Sequence, residues 1–240
     1  MARPPRPQPR LTATQLADYL AATSPLAQLA ILRQAKNPGE AKPLIIQYQL
    51  VKGHIAACLF EPESMNRIIA SAIVSLEQRR DDPANRPLVR DDARRCIEVI
   101  QTFQGSVNAL GLWSITYEPP PQRPAPLMVA GVEISVFPDA IAIADHRTGH
   151  RIGEVFIRCT IGAANDNAEN RRSESNGHLV TIAHMHTVET LTRHGTPYSP
   201  TSMVIDVPRE RVVYGPASTT MRVRQIEAAC AMIAAIWPTV

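Results

Sequence analysis

The chain has 240 residues, 45% hydrophobic and 5% aromatic, with a formal net charge of +3. This is enough length for one large domain or two small ones, and enough apolar residues for a core that needs neither disulfide nor metal to fold. No stretch approaches the roughly 20 unbroken apolar residues of a membrane helix, and the charged start has no apolar signal segment, so a cytoplasmic protein without a membrane partner is expected.

The opening MARPPRPQPR, residues 1–10, is read as a disordered tail, its prolines opposing helix and its arginines keeping it solvated. A helical region is expected over 11–117. Thr12 and Gln15 have capping-box spacing, and Ser24-Pro25 has the cap-then-proline signature of a helix start. A third helix is expected from Pro43 to Leu59. A fourth follows Ser64, with Ile68, Ile69, Ala72, Ile73 and Leu76 at helical spacing. A fifth, over 91–104, starts near Asp91 and carries Cys96, Ile97, Ile100 and Phe103.

Residues 118–126, EPPPQRPAP, form a stiff connector taken as the boundary between halves. The α/β region is expected over 127–240, and helix 91–104 is assigned either to the helical region or to this core. Val132, Ile134 and Val136 alternate against Glu133, Ser135 and Phe137 as in a strand. Ala140–Ala144 forms a second strand after Pro138-Asp139. A third covers 152–161, with Val155, Ile157, Cys159 and Ile161 on one face. The polar run 163–177 is expected to be an exposed loop, followed by a helix over 179–193. Residues 203–207 and 211–214 read as a hairpin, and the apolar face Ile226, Ala229, Cys230, Ile233, Ile236 and Trp237 as a closing helix.

Cys58, Cys96, Cys159 and Cys230 are isolated, without a C-x-x-C pair, and are expected to be reduced and buried. The lysines are Lys36, Lys42 and Lys52, so the remaining positive charge is arginine. No phosphate-binding P-loop, dinucleotide fingerprint, H-E-x-x-H or G-x-S-x-G motif is present. His184 and His186 stand about 200° apart on a helix and cannot be joint metal ligands there; a solvated or core-satisfied role is expected for the histidines.

From Asp91 the elements run helix, three strands, helix, strand. With Pro138-Asp139 opening the second strand and Glu154 on the third, this α-β-β-β-α-β order resembles the PD-(D/E)XK nuclease-like superfamily over residues 91–207. The fold class expected is α/β: a helical N-terminal half, a mixed-sheet αβββαβ core resembling the restriction-endonuclease-like fold, and a C-terminal helix. The resemblance implies Asp139 and Glu154 as ligands of a divalent cation, Mg²⁺ or Mn²⁺, with Glu98 as an additional acid. The family's lysine position holds Phe156. Arg158 lies on the same strand face one pleat, roughly 7 Å, further on and is the candidate for contact with phosphate; a lysine borrowed from Lys36, Lys42 or Lys52 would come from the helical half.

Three functions follow as expectations. The first is a non-catalytic or degenerate DNA-binding module on that fold, with Arg79, Arg80, Arg90, Arg94, Arg95, Arg171 and Arg172 available to phosphates. The second is a metal-dependent DNA nuclease using Asp139, Glu154 and Arg158. The third is a protein-interaction component with no nucleic-acid role. Arginines clustered near Asp139 would favour the first two. No oligomeric state follows from the sequence.

Overall fold

The computed structural model describes residues 6–37, 48–162 and 165–240. Strand β1 (Arg10–Thr12) leads into helices α1 (Ala13–Ala21) and α2 (Pro25–Lys36). Thr12 and Gln15 form the expected reciprocal box, and Ser24 accepts the Ala27 N–H, so both helix starts are set by local hydrogen bonding. Helices α3 (Gln49–Phe60), α4 (Met65–Asp81) and α5 (Pro87–Ser106) complete the first half. The part of the third helix expected before residue 48 lies outside the described residues.

The strands that follow are β2 (Thr116–Glu118), β3 (Leu127–Val129), β4 (Val132–Ser135), β5 (Ala140–His146) and β6 (Gly149–Arg158). Helix α6 (Asp166–Thr190) then crosses to β7 (Thr196–Pro197), β8 (Met203–Asp206) and β9 (Arg211–Tyr214), and α7 (Thr220–Ile236) closes the chain. The protein is an α/β structure with two mixed sheets. The larger has the order β2-β5-β6-β8-β9, with β7 also paired to β6; the smaller has the order β1-β4-β3. Strand β6 is antiparallel to β5 and parallel to β8, with α6 as the crossover.

Two apolar clusters lie on opposite faces of β6, following its pleat. Val155, Ile157 and Cys159 pack with α3, α4 and α5, whereas Phe156 packs with α1, α6, α7 and the small sheet. Each cluster draws on residues before and after 118–126, so the proline-rich segment does not separate two cores.

Three expectations are corrected. The strand at Val132 does not head the main sheet. It enters the small sheet between β1 and β3, and the first strand of the main sheet is β2, anchored by the Tyr117 hydroxyl donating to Leu112 O at 3.0 Å. Within the run expected as a loop, residues from Asp166 onward form the first half of α6, with Asn165 accepting the Ala168 N–H as its cap. The tail expected through residue 10 is held from Arg6 onward. Its N–H donates to Lys36 O at 2.8 Å, its carbonyl accepts Trp237 Nε1 at 3.2 Å, and Leu11 pairs in parallel with Ile134. Among the described residues no helix is long and apolar enough to cross a membrane.

Gly153 is where β6 meets the backbone of Thr201 and Ser202. A Cβ there would lie 2.7 Å from Ser202 Cα and closer still to its amide nitrogen. Gly153→Ala is therefore expected to destabilise the fold by about 1–3 kcal/mol, the usual cost of overpacking. A urea midpoint within error of the parent, at unchanged slope, would show that the backbone yields there.

Candidate functional site

Strands β6 and β8 run parallel and finish side by side, with Arg158 in register with Asp206, while β5 starts beside them just after Asp139. The carboxyl ends of two central strands thus gather charged residues from segments far apart in sequence.

Asp206 is fully buried. It accepts Arg172 Nε at 2.6 Å, Arg172 Nη2 at 2.7 Å and Asn176 Nδ2 at 2.9 Å. A bidentate guanidinium with a third donor gives the carboxylate the hydrogen bonding that burial requires. One turn further along α6, Ser175 Oγ accepts Arg158 Nη2 at 2.7 Å and donates to Asp18 of α1 at 2.5 Å; Arg158 Nη2 also reaches Asp18 at 3.2 Å. Arg158 Nε is buried without a hydrogen-bond partner. Burial lowers the Arg158 guanidinium from its ordinary value, Asp18 works against that, and the nearby Arg172 adds to it.

Asp139 takes Lys52 of α3 at 3.0 Å on one oxygen and the Ile157 N–H at 2.7 Å on the other. Burial raises its carboxyl, and the Lys52 charge followed by the Ile157 N–H pulls it back. A lysine from the helical half therefore does reach the expected acid.

Three recesses adjoin here. One, of about 610 Å³, is lined by Lys52, Asp139, Arg158 and Asp18. A second, of about 380 Å³, shares Asp18, Arg158 and Thr160 with it and adds Arg171, Arg172 and Arg209. A third, of about 470 Å³, shares Tyr48 and Thr160 with the first and adds Arg94, Arg95 and Glu98. Together they form a cleft around the end of β6, with seven cationic side chains against three carboxylates in its lining. Behind that lining Asp206, Glu169 and Asp91 pair with Arg172, Arg209 and the Arg94–Arg95 pair, so most of these cations are already matched by an acid. Arg79, Arg80 and Arg90 line none of these recesses; Arg80 is held by Asp81 at 2.7 Å.

Glu154 is not part of the cleft. Its carboxylate is buried against α6, on the face of β6 opposite the α3 cluster, 2.5 Å from His186 Nδ1; His186 Nε2 lies 2.7 Å from Ala125 O in the proline-rich segment. Asp139 and Glu154 thus take partners from helices on opposite faces of the sheet. Glu98 stands on the exposed side of α5 against Arg94. The structure brings Asp139 and Arg158 to one cleft with Glu98 on its rim, and separates Glu154 from them. With Asp139 held by α3 and Glu154 by α6 across the sheet, the side chains as placed do not fit the divalent cation that the two acids were expected to share.

The chain matches no family model, no curated protein and no solved structure.

Three residues escaped the sequence reading in their roles, Asp18 and Asp206 at the cleft and His186 as the partner of Glu154, whereas Lys52 was among the lysines considered. Asp206 carried a signal, an acid closing the apolar run Met203–Ile205 and needing a buried partner. The partners of the others lie 32 to 157 residues away in sequence, where spacing carries no information.

Burial is the largest influence on His186 and lowers it, but the Glu154 hydrogen bond and charge, with the Ala125 carbonyl, outweigh this and hold the imidazole above its ordinary value. Because the folded value exceeds the unfolded one, the histidine's contribution to stability is complete below the unfolded value, about 6.5, and is lost as pH rises through the folded one. Burial also raises the Glu154 carboxyl, which acts in the same direction. Urea denaturation is expected to show stability falling as pH rises above about 6.5. His186→Ala is expected to cost about 3–5 kcal/mol near pH 6 by leaving Glu154 buried and unpaired, with the gap to the parent narrowing at high pH. A gap independent of pH would contradict the paired arrangement.

Proposed function

We propose that the chain is a nucleic-acid-binding module, with DNA as the expected partner, which holds backbone phosphates in the basic cleft without cleaving them. The convergence of Lys52, Arg158, Arg171, Arg172, Arg209 and the Arg94–Arg95 pair around the end of β6 carries this reading. Arginine suits the task because its planar donors match phosphate oxygens and its charge is permanent. In open α/β sheets the carboxyl ends of strands are the favoured place for ligands. The main-sheet order α5-β2-β5-β6-α6-β8 is also the αβββαβ order of the nuclease-like resemblance, which supports a scaffold of that kind.

The absence of cleavage follows from the carboxylates. Two-acid chemistry with Mg²⁺ or Mn²⁺ needs both acids on one ion, whereas Glu154 is committed to His186 and Phe156 stands where the family carries lysine. The competing reading, a metal-dependent nuclease, draws on Lys52 beside Asp139.

DNA affinity is expected to fall steeply between about 50 and 200 mM salt, as phosphate contacts release counterions. Among the described residues Arg171 has no carboxylate partner, so Arg171→Ala is expected to weaken binding for all sequences and to reduce the salt slope by about one. Binding that ignores salt, or no binding at the lowest salt, would leave the protein-interaction reading. Nicking with Mg²⁺ or Mn²⁺ that Asp139→Ala abolishes would establish the nuclease instead.

A further inference from the structure

The two recesses that meet at Arg158 also share the side chain of Asp18. It is contributed by α1, whose Ala13, Leu16, Ala17 and Tyr19 are buried in the core, so the helix is fixed while the Asp18 side chain remains 47% exposed. Its carboxylate accepts from the Ser175 hydroxyl and from Arg158. A carboxylate seated between a guanidinium and a hydroxyl has the donors that a phosphoryl oxygen would take. The buried Arg158 Nε–H, which meets no protein acceptor, is a further donor.

From this geometry we infer that Arg158 and Ser175 form a phosphoryl subsite that Asp18 occupies in the free protein, as an internal competitor displaced by the ligand. The inference rests on the phosphate-binding reading of the cleft and adds to it the place where one phosphate sits and the residue that limits its affinity. Displacement needs only rotation of the Asp18 side chain. The exchange conserves hydrogen bonds: Arg158 and Ser175 give up a carboxylate oxygen for a phosphoryl oxygen, and the freed Asp18 turns to water.

The phosphoryl group could belong to a backbone diester or to a strand terminus, and two probes separate these: a single-stranded oligonucleotide and the same strand end-phosphorylated. With fluorescence anisotropy, Asp18→Asn is expected to tighten binding about fivefold or more, since it removes the competitor and a repelling charge. A gain with both probes identifies a diester, and a gain confined to the end-phosphorylated strand identifies a terminal monoester. Glu98→Gln, which removes one acid elsewhere in the cleft, is expected to change affinity less than about twofold. In an Arg158→Gln background the Asp18→Asn gain is expected to vanish, as coupling through one shared group requires. Parent protein that binds while Asp18→Asn brings no gain, an equal gain from Glu98→Gln, or a gain that survives Arg158→Gln would overturn the subsite and leave the cleft as a binding surface. Failure of both the parent and Asp18→Asn to bind either probe would overturn the cleft reading and the subsite with it.

Discussion

The buried pair of Arg172 and Asp206 is the interaction on which the rest of the cleft depends. A carboxylate at 0% exposure costs several kcal/mol to desolvate, and here two guanidinium bonds and one amide bond offset that cost. The pair also binds the end of β8 to the first half of α6. It thereby makes a helix of a polar sequence that has little apolar surface to bury, and it sets the rotation of that helix. With Arg172 turned to the sheet, Ser175 meets Arg158, and Arg171 faces the second recess.

Helix α6 then serves two purposes along its length. Its first half supplies polar side chains to the strand ends, and its second half buries Leu179, Val180, Ile182 and Ala183 against the sheet. His186, on that buried half, reaches across to Glu154 and to the carbonyl of Ala125, fixing the proline-rich segment to the helix. The two charge networks differ in what water can reach. The pair of Glu154 and His186 is enclosed and acts on stability and its pH dependence. The groups around Arg158 open onto recesses, where an anion in solution can compete for them. Most cations there already have an acid beside them, which keeps the empty cleft from strong self-repulsion and makes each phosphate contact an exchange of partners.

Local features were legible in the sequence wherever the physics is local. The Thr12–Gln15 box, the Ser24 cap, the β8–β9 hairpin and the apolar face of α7 follow from spacing of a few residues. The alternation in Val132–Val136 correctly signals a strand, but alternation does not say which sheet a strand joins. Strand β2 has only three residues, too few to show a period. The run 163–177 misled because Asn, Ser and Gly favour turns; its helix is stabilised by partners on α1, β6 and β8 that no window of sequence contains. Asp139 and Arg158 were legible as charged residues at strand ends. Glu154 was visible as an acid on a strand, but its commitment to His186 depends on how α6 lies across the sheet.

Hydrogen exchange with and without a single-stranded oligonucleotide at low salt tests the cleft most directly, because it reports where the ligand sits without altering the protein. Bound DNA is expected to slow exchange around Ile157–Thr160 and in the first turns of α6, from Asn167 to Asn176, while leaving the Arg79–Arg90 segment unchanged. Protection confined to that arginine-rich segment, or spread without preference over the surface, would contradict phosphate capture at the strand ends.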